Sequence, residues 1–385
     1  MNYRILLFPF AIIYFLITYV RNWMYDKGIL KSTSFGFPVI CIGNLSVGGT
    51  GKSPTTNYLV DLLKSIYKIS VLSRGYGRNT KGFALANENS TAEEIGDEPL
   101  MYFKRNHQSS SGNDVKVAVC ESRVEGINTL KNKFPDLDVV LLDDAFQHRA
   151  VAAGLNILIS DYSHLYSDDD LLPVGNLREG KSGAKRAQIV IISKCPKDLG
   201  KEDKQAIGAV LKKSENQKFF FSYMRYAPLM NVLNELRSES ESEGESGSGS
   251  GSGGVQIVVG NEKENSKFLQ YDALLITGIA KPKPLKEHLS KEFKEVFHMV
   301  FSDHHDFTSD DLSEARKIFD NIANHKKIII TTEKDWMRMQ HAKLKIVFND
   351  LPVYVQPISF EFSDEDKQNF NQLILNYVRE NKTNR

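Results

Sequence analysis

The sequence predicts an α/β fold: a mostly parallel sheet domain, a second, smaller α/β domain, and an apolar N-terminal helix. Three observations lead to this fold class. Continuous apolar runs alternate with segments of helical length, a glycine-rich turn joins one run to a helix, and a shorter α/β pattern follows a polar tract. Such runs are typical of strands buried on both faces of a parallel sheet. The predicted strands of the first domain cover residues 39–42, 68–73, 115–119, 139–142, 155–159 and 189–192.

The chain of 385 residues is long enough for two domains. Residues 238–254 contain only Ser, Glu and Gly, a tract that cannot bury enough apolar surface to order itself, and we predict a flexible loop there. In the second domain we predict strands at 274–277, 327–331 and 352–355, and helices near 283–293 and 309–323. The predicted parts are a hydrophobic membrane-associated helix at 1–27, the first domain at 28–222, the second at 223–362, and a C-terminal helix packing back on the first domain at 363–385.

Composition excludes several partners. Lys and Arg number 49 against 48 Asp and Glu, and no dense basic run is mixed with aromatic residues, so we expect no nucleic-acid partner. No obligate protein partner is inferred either. Cys41, Cys120 and Cys195 are widely spaced and form no metal-type pair. They are typical of buried thiols in a reducing compartment.

The N-terminus is strongly apolar. From residue 5 to 20 only Pro9 and Thr18 are neither aliphatic nor aromatic. The run is short for a bilayer span, which needs about 20 apolar residues, and no signal-peptide cleavage site follows it. Residues 21–27 mix aromatic side chains with cations, as expected at a lipid headgroup boundary. A buried core helix is the alternative to the anchor on the inner face of a membrane that we favour.

A phosphate-binding loop, or P-loop, is predicted at residues 46–53, between the apolar run 39–42 and a helical pattern. Its glycines let backbone N–H groups close around phosphate oxygens, and the helix N-terminus adds positive potential. Lys52 is expected to reach the β- and γ-phosphates and the Ser53 hydroxyl to bind Mg²⁺. Ser46 stands where the strict pattern has its first glycine. The predicted nucleotide-binding residues are Val47, Gly48, Gly49, Thr50, Gly51, Lys52, Ser53 and Pro54.

A metal-binding carboxylate pair is predicted at Asp143 and Asp144, directly after the apolar run 139–142. A buried strand that ends in Asp beside a P-loop is the Walker B arrangement, which holds Mg²⁺. Helix capping is the alternative role of these residues. Residues 193–196, Ser-Lys-Cys-Pro, stand where switch GTPases have their guanine-specific motif, and they lack the Asp of that motif. We therefore expect ATP rather than GTP.

Other polar segments each admit two interpretations. Residues 74–78, Arg-Gly-Tyr-Gly-Arg, are either a tight turn or a ligand-binding loop after a strand. Asp97 either caps a helix or acts as a general base on an acceptor hydroxyl. Arg178 either stabilises phosphate charge or forms an exposed ion pair. In the second domain, residues 303–306, Asp-His-His-Asp, favour a His–Asp pair over a metal site, and residues 331–335 suit a cap or a domain-interface contact.

Taken together, the motifs resemble those of the tetraacyldisaccharide 4′-kinases, the lipid A kinases of Gram-negative bacteria. The likeness covers residues 36–360. Ala145 replaces a more usual Gly, and the Ser/Glu/Gly insertion is long. The matching segments are residues 43–54, 73–77, 96–99, 143–149, 177–179, 277–282, 301–305 and 331–335.

The resemblance implies transfer of the γ-phosphoryl group of ATP to the 4′-hydroxyl of a tetraacylated glucosamine disaccharide 1-phosphate, which forms lipid IVA. It implies Asp97 as the base, paired with His304 from the second domain, with closure of the two domains around ATP. The other implied site residues are Lys52 and Ser53 for nucleotide and Mg²⁺, Asp143 and Asp144 near the metal, and Arg178 for charge stabilisation.

The implied substrate carries four acyl chains and therefore resides in a bilayer. This accounts for the apolar residues 5–20 and predicts a peripheral or monotopic protein on the cytoplasmic face of the inner membrane. Two other functions stay open at this point. One is a membrane-tethered nucleotide switch, which does not need Asp97. The other is a P-loop kinase of a soluble metabolite, which leaves the N-terminal segment unexplained.

Overall fold

The computed structural model describes residues 7–107, 114–211, 215–232, 268–340, 347–348 and 350–382. The chain divides into two compact units. Unit 1 comprises Met1–Glu88, Ser109–Arg225 and Ser359–Arg385, and unit 2 comprises Asn89–Gln108 and Tyr226–Ile358. The tract 238–254, predicted to be a flexible loop, lies outside the described residues.

The elements are numbered in chain order. The strands are β1 (Val39–Asn44), β2 (Ile69–Ser73), β3 (Ala84–Leu85), β4 (Lys116–Val119), β5 (Val139–Leu142), β6 (Leu155–Asp161), β7 (Ile189–Ser193), β8 (Lys218–Tyr226), β9 (Met230–Asn231), β10 (Asp272–Thr277), β11 (Glu295–Val300), β12 (Lys327–Thr332), β13 (Val353–Gln356) and β14 (Ile358–Phe362). The helices are α1 (Phe8–Asp26), α2 (Lys52–Leu63), α3 (Ala92–Ile95), α4 (Asp97–His107), α5 (Arg123–Lys133), α6 (Lys201–Val210), α7 (Lys283–Leu289), α8 (Ser309–Asn321), α9 (Glu333–Met339) and α10 (Asp364–Lys382), with a 3₁₀ helix at Lys181–Arg186.

A nine-stranded sheet has the order β14-β8-β7-β6-β1-β5-β2-β4-β3. The six pairs that join β8, β7, β6, β1, β5, β2 and β4 are parallel, and β3 adds an antiparallel edge. Strands β1, β2, β5 and β7 are buried along their whole length. Strands covered on both faces have no solvent side for polar residues, which explains their continuous apolar sequences.

The C-terminal helix α10 belongs to unit 1. Its residues Phe370, Ile374 and Val378 recur every four positions and are fully buried. This spacing places them on one face of the helix. The Tyr377 hydroxyl donates a hydrogen bond to the carbonyl of Val39, 3.1 Å away, which ties the helix to β1.

The second sheet has the order β11-β10-β12-β13-β9, with antiparallel pairing only between β13 and β9 among its described pairs. Successive side chains of a strand point to opposite faces. Leu274 and Ile276 accordingly join a cluster with Trp336, whereas Ala273 and Leu275 join another cluster on the opposite face. Unit 2 therefore has a core on each side of its sheet.

The predicted α/β fold class is confirmed, and every predicted strand has a counterpart. Strand β8 and the edge strand β11 were missed because they mix polar with apolar residues, and much of β11 is only half-buried. The helix predicted from residues 5–20 is α1. Within the ranges that the structure describes, no helix is long and apolar enough to cross a membrane.

The predicted boundaries differ from the observed division by a few residues at 223–225 and 359–362, which lie in unit 1, and by one longer segment. The segment Asn89–Gln108 lies in unit 2, although the prediction kept it in the domain at 28–222. The reason is long-range packing, since Glu98 of α4 accepts a hydrogen bond from Lys334 of α9, and Arg105 lies 3.6 Å from Glu333. Pairings between residues so far apart in the chain have no local sequence signal.

Close packing at Gly43 leads to a stability prediction. A Cβ atom at this position would lie 2.7 Å from Phe146 Cβ and 2.9 Å from the Phe146 backbone nitrogen. We expect Gly43→Ala to lower the free energy of unfolding by about 1–3 kcal/mol, because backbone would have to move. Gly36→Ala is the matched control, since a Cβ there meets no atom within 4 Å. Equal urea midpoints for the two variants would contradict this prediction.

Candidate functional site

The loop between β1 and α2 is shaped by glycines. Gly48 and Gly51 have φ of 100° and 95°, a region that residues with a Cβ rarely adopt. Cβ atoms at Gly48 and Gly49 would meet nothing within 4 Å, so this part of the loop is open. Helix α2 begins at Lys52, and the first N–H groups of any helix lack intrahelical acceptors. Pro54 therefore removes no needed donor.

Side chains from neighbouring strand ends fix the loop from behind. The Ser193 hydroxyl, at the end of β7, donates to the Thr50 carbonyl at 2.6 Å. Lys194 donates through Nζ to the Gly49 carbonyl and, at 2.9 Å, to Asp161 Oδ2. These contacts fix the loop just before the start of α2, where the N–H groups of a helix N-terminus suit an anion.

Asp143 and Asp144 follow β5 directly, as predicted. Asp143 is buried and its Oδ1 accepts a hydrogen bond from the Thr56 hydroxyl at 3.0 Å. Asp144 has a φ of 45° and receives both guanidinium nitrogens of Arg178, at 2.9 and 3.1 Å. Lys52 Nζ lies 3.7 Å from the Asp144 carboxylate. The structure therefore brings Lys52, Arg178 and the carboxylate pair together.

These residues fit a magnesium-bound nucleoside triphosphate. The open glycine loop and the start of α2 suit phosphate oxygens. The buried Ser53 hydroxyl and the carboxylates of Asp143 and Asp144 are the hard oxygen donors that Mg²⁺ prefers.

Two further polar residues lie behind the carboxylates, and sequence reasoning missed both. Arg123 is buried; its Nη1 donates to the Cys120 carbonyl at 3.0 Å. Burial lowers the pKa of Arg123, and the charges of Asp143 and Asp144 oppose this. The backbone N–H of Arg123 donates to His148 Nε2 at 3.2 Å. Burial, with the charge of Arg123 next, lowers the pKa of His148 to about 4, which keeps this imidazole neutral at pH 7.

Helix α1 is attached to the same segment that carries Arg178. The Tyr14 hydroxyl donates to the Arg178 carbonyl at 2.8 Å, and Asn22 Nδ2 donates to Glu179 Oε2 at 2.7 Å. Glu179 is buried and also receives both guanidinium nitrogens of Arg186. Much of the remaining surface of α1 is apolar and exposed, with Phe10 and Ile17 each 62% accessible.

In unit 2, Asp97 is the first residue of α4 and pairs with a histidine. Its Oδ2 lies 3.2 Å from Nδ1 of His304, and its Oδ1 accepts the N–H of Glu98 at 2.8 Å. The hydrogen bond to Asp97 raises the pKa of His304, although burial opposes this. His304 has a φ of 57°, which turns its side chain towards Asp97.

The other residues that the sequence singled out, His305 and the segment 74–78, have partners of their own. His305 bonds to Asp311 at 2.9 Å instead of Asp97, so the two adjacent histidines diverge. Among the described residues, no cluster of three or more His, Cys, Asp or Glu side chains could hold a metal ion. Arg78 forms an ion pair with Glu121 at 2.6 Å and supports a turn, while Tyr76 is exposed.

The fold and the loop define the class: a P-loop nucleotide-binding protein with a carboxylate–histidine pair in a second unit. The model of the family described as Tetraacyldisaccharide-1-P 4′-kinase matches residues 3–379. The chain belongs to this family.

Individual relatives agree with the family match. The chain is 45% identical to a protein named tetraacyldisaccharide 4′-kinase from Flavobacterium johnsoniae, with 98% of each covered. It is 42% identical to one from Bacteroides thetaiotaomicron, with 98% of this chain and 94% of the relative covered. The crystal structure of LpxK from Aquifex aeolicus in complex with ATP is 27% identical, with a TM-score of 0.68 over 97% of this chain and 99% of that chain.

The bond between Lys194 and Asp161 predicts a pH-dependent contribution to stability. Burial alone would raise the pKa of Asp161. Hydrogen bonds from Lys194 and Ser163, together with the charge of Lys194, outweigh burial and lower the pKa to about 2. Since this lies below the unfolded value of about 3.9, the carboxylate stabilises the fold above roughly pH 4, and the contribution is lost as pH falls towards 2. We expect Asp161→Asn to cost about 2 kcal/mol at neutral pH, measured by urea unfolding.

The difference in the free energy of unfolding between Asp161→Asn and wild type should become smaller as pH falls from roughly 4 towards 2. Asp198→Asn is the control, because Asp198 is an exposed carboxylate in the same unit. A difference that stays constant from neutral to acidic pH would contradict the pairing.

Proposed function

We propose that this chain transfers the γ-phosphoryl group of ATP to the 4′-hydroxyl of a tetraacylated glucosamine disaccharide 1-phosphate, forming lipid IVA. The observation that carries the proposal is the pairing of Asp97 with His304, in a chain of this family. A nucleotide switch needs no such pair, whereas transfer to an alcohol needs a group that accepts the hydroxyl proton.

The nucleotide half of the reaction belongs to unit 1. The loop at residues 47–54 holds the phosphates; Pro54 has no N–H group and the Val47 N–H donates to the Asn176 carbonyl, so the backbone donors lie between these two residues. Lys52 compensates the charge of the β- and γ-phosphates. Ser53, Asp143 and Asp144 hold Mg²⁺, which when bound neutralises charge on the phosphate oxygens. Arg178, placed by its two hydrogen bonds to Asp144, supplies a second cation for charge that develops during transfer.

The acceptor half belongs to unit 2. Asp97 takes the proton of the 4′-hydroxyl as that oxygen forms its bond to the γ-phosphorus and the bond to the β-γ bridging oxygen breaks. His304 holds one carboxylate oxygen of Asp97, and the N–H of Glu98 holds the other. Both contacts restrict rotation of the carboxylate, so the base is aimed before the substrate arrives.

The exposed side of α1 supports a peripheral or monotopic position at the inner membrane, on its cytoplasmic face. Phe8, Phe10, Ile13 and Ile17 are all more than half exposed. Exposed apolar side chains along a helix, with cations near its end, are typical of helices that lie in a bilayer interface. A substrate with four acyl chains lies in the same bilayer, which disfavours a soluble metabolite as the acceptor.

The acceptor role of Asp97 is tested with labelled ATP, Mg²⁺ and the disaccharide lipid in detergent micelles. We expect Asp97→Asn to lower the rate of lipid phosphorylation roughly 100- to 10,000-fold, because a general base contributes that much. Asp310→Asn, which removes an exposed carboxylate in the same unit, is expected to keep the wild-type rate. Wild-type activity in Asp97→Asn, or no labelled lipid from the wild-type protein, would overturn the proposal.

Membrane binding is tested separately by co-sedimentation with vesicles of anionic phospholipid. We expect Ile13→Asp and Ile17→Asp each to weaken binding about tenfold, since each half-exposed side chain loses on the order of 1 kcal/mol of burial and gains a charge. Ile66→Asp changes an isoleucine of similar exposure outside α1 and serves as the control. If all three variants weaken vesicle binding equally, or if none of them weakens it, α1 is not the lipid-contacting surface.

A further inference from the structure

Arg338, in the last turn of α9, lies directly behind the Asp97–His304 pair. Its side chain is only 8% exposed. Its Nε lies 3.7 Å from Asp97 Oδ2, the oxygen that also faces His304. Its terminal nitrogens donate to the His305 carbonyl at 3.2 Å and the Gly278 carbonyl at 3.0 Å. One guanidinium therefore contacts the carboxylate and the backbone on either side of His304.

Asp335 fixes Arg338 in place. Arg338 Nη2 donates to Asp335 Oδ1 at 2.6 Å, and Asp335 is fully buried. The same carboxylate accepts the Thr332 hydroxyl at 2.7 Å and the Gly278 N–H at 3.1 Å. Burial raises the pKa of Asp335, and the charge of Arg338 opposes this most strongly. A buried carboxylate of this kind requires its cation, so the Asp335–Arg338 pair is a rigid support.

The support acts on the loop that carries His304. The Gly278 carbonyl accepts the His304 N–H at 3.0 Å as well as Arg338. The surroundings of Gly278 are tight, because a Cβ there would lie 3.2 Å from Asp335 Oδ1, His305 Cβ and the Ser302 carbonyl oxygen. The left-handed backbone at His304 is thus held from one side by Gly278 and from the other by the His305 carbonyl on Arg338.

We propose that Arg338, anchored by Asp335, is a positioning residue for the reaction: it aims the Asp97 carboxylate and fixes the orientation of His304. This inference rests on the function proposed above for Asp97. A lysine cannot replace the arginine fully, because a point charge on a flexible stem cannot span two carbonyls and a carboxylate at once.

The test compares Arg338→Ala, Arg338→Lys and Asp97→Asn in the micelle assay at neutral pH. Misplacement of a catalytic group can cost about two orders of magnitude in rate, so we expect Arg338→Ala to lower kcat roughly 100-fold, with KM for ATP within about twofold of wild type. Arg338→Lys should restore only part of kcat.

Arg316→Ala is the matched control. Arg316 also donates twice to a carboxylate, Asp350, in the same unit, and its described partners do not include Asp97. Wild-type kinetics are expected for this variant. If Arg338→Ala fails to fold, as judged by circular dichroism, Arg338→Lys carries the test: a kcat roughly tenfold lower at an unchanged KM for ATP supports the proposal, and wild-type kcat overturns it.

Failure of this inference is distinguishable from failure of the proposed function. If Asp97→Asn is inactive while folded Arg338→Ala keeps the wild-type kcat, Arg338 has no positioning role and the assignment of Asp97 as the base stands. If Arg338→Ala changes only KM for ATP, the positioning role is also wrong. If Asp97→Asn is fully active, the base itself is wrong and the positioning role falls with it.

Discussion

Parallel strands buried on both faces are the constraint on which the rest of this structure depends. Such strands have no solvent side, so charged side chains are placed where the strands begin or end. In unit 1 the ends of β1, β5 and β7 supply the P-loop, the Asp143–Asp144 pair and Ser193 with Lys194. In unit 2 the ends of β10 and β12 supply Gly278 and the segment that contains Asp335. Both units therefore concentrate their chemistry at one edge of a sheet.

Charge compensation is the second recurring feature. The carboxylates at or near these strand ends are paired with cations: buried Asp161 with Lys194, half-buried Asp144 with Arg178, and buried Asp335 with Arg338. A buried charge without such partners would cost several kcal/mol. The same pairings fix side-chain positions, so the interactions that make the buried charges tolerable also set the geometry that phosphoryl transfer needs. This transfer depends mainly on positioning and electrostatics.

Features encoded in short segments could be predicted from the sequence, and long-range pairings could not. The P-loop, the Asp143–Asp144 pair and the apolar strands each have a local pattern, and the structure brings Lys52, Asp144 and Arg178 together. The pairing of Asp97 with His304 rested on the family resemblance, because 207 positions separate the two residues. Arg338 and Lys194 were missed for a similar reason: an arginine or lysine on a strand end or helix looks like any solvated cation until its distant partners are known.

Phosphoryl transfer to the lipid is tested most directly by following the phosphorus atom. The purified protein is incubated with ATP, Mg²⁺ and the tetraacylated disaccharide 1-phosphate, and the lipid product is analysed by ¹H–³¹P correlation NMR. If the γ-phosphoryl group is transferred to the lipid, we expect one new phosphomonoester on the 4′-oxygen, formed in equal amount to the ADP released. ADP released together with inorganic phosphate, with the lipid left unchanged, would contradict it.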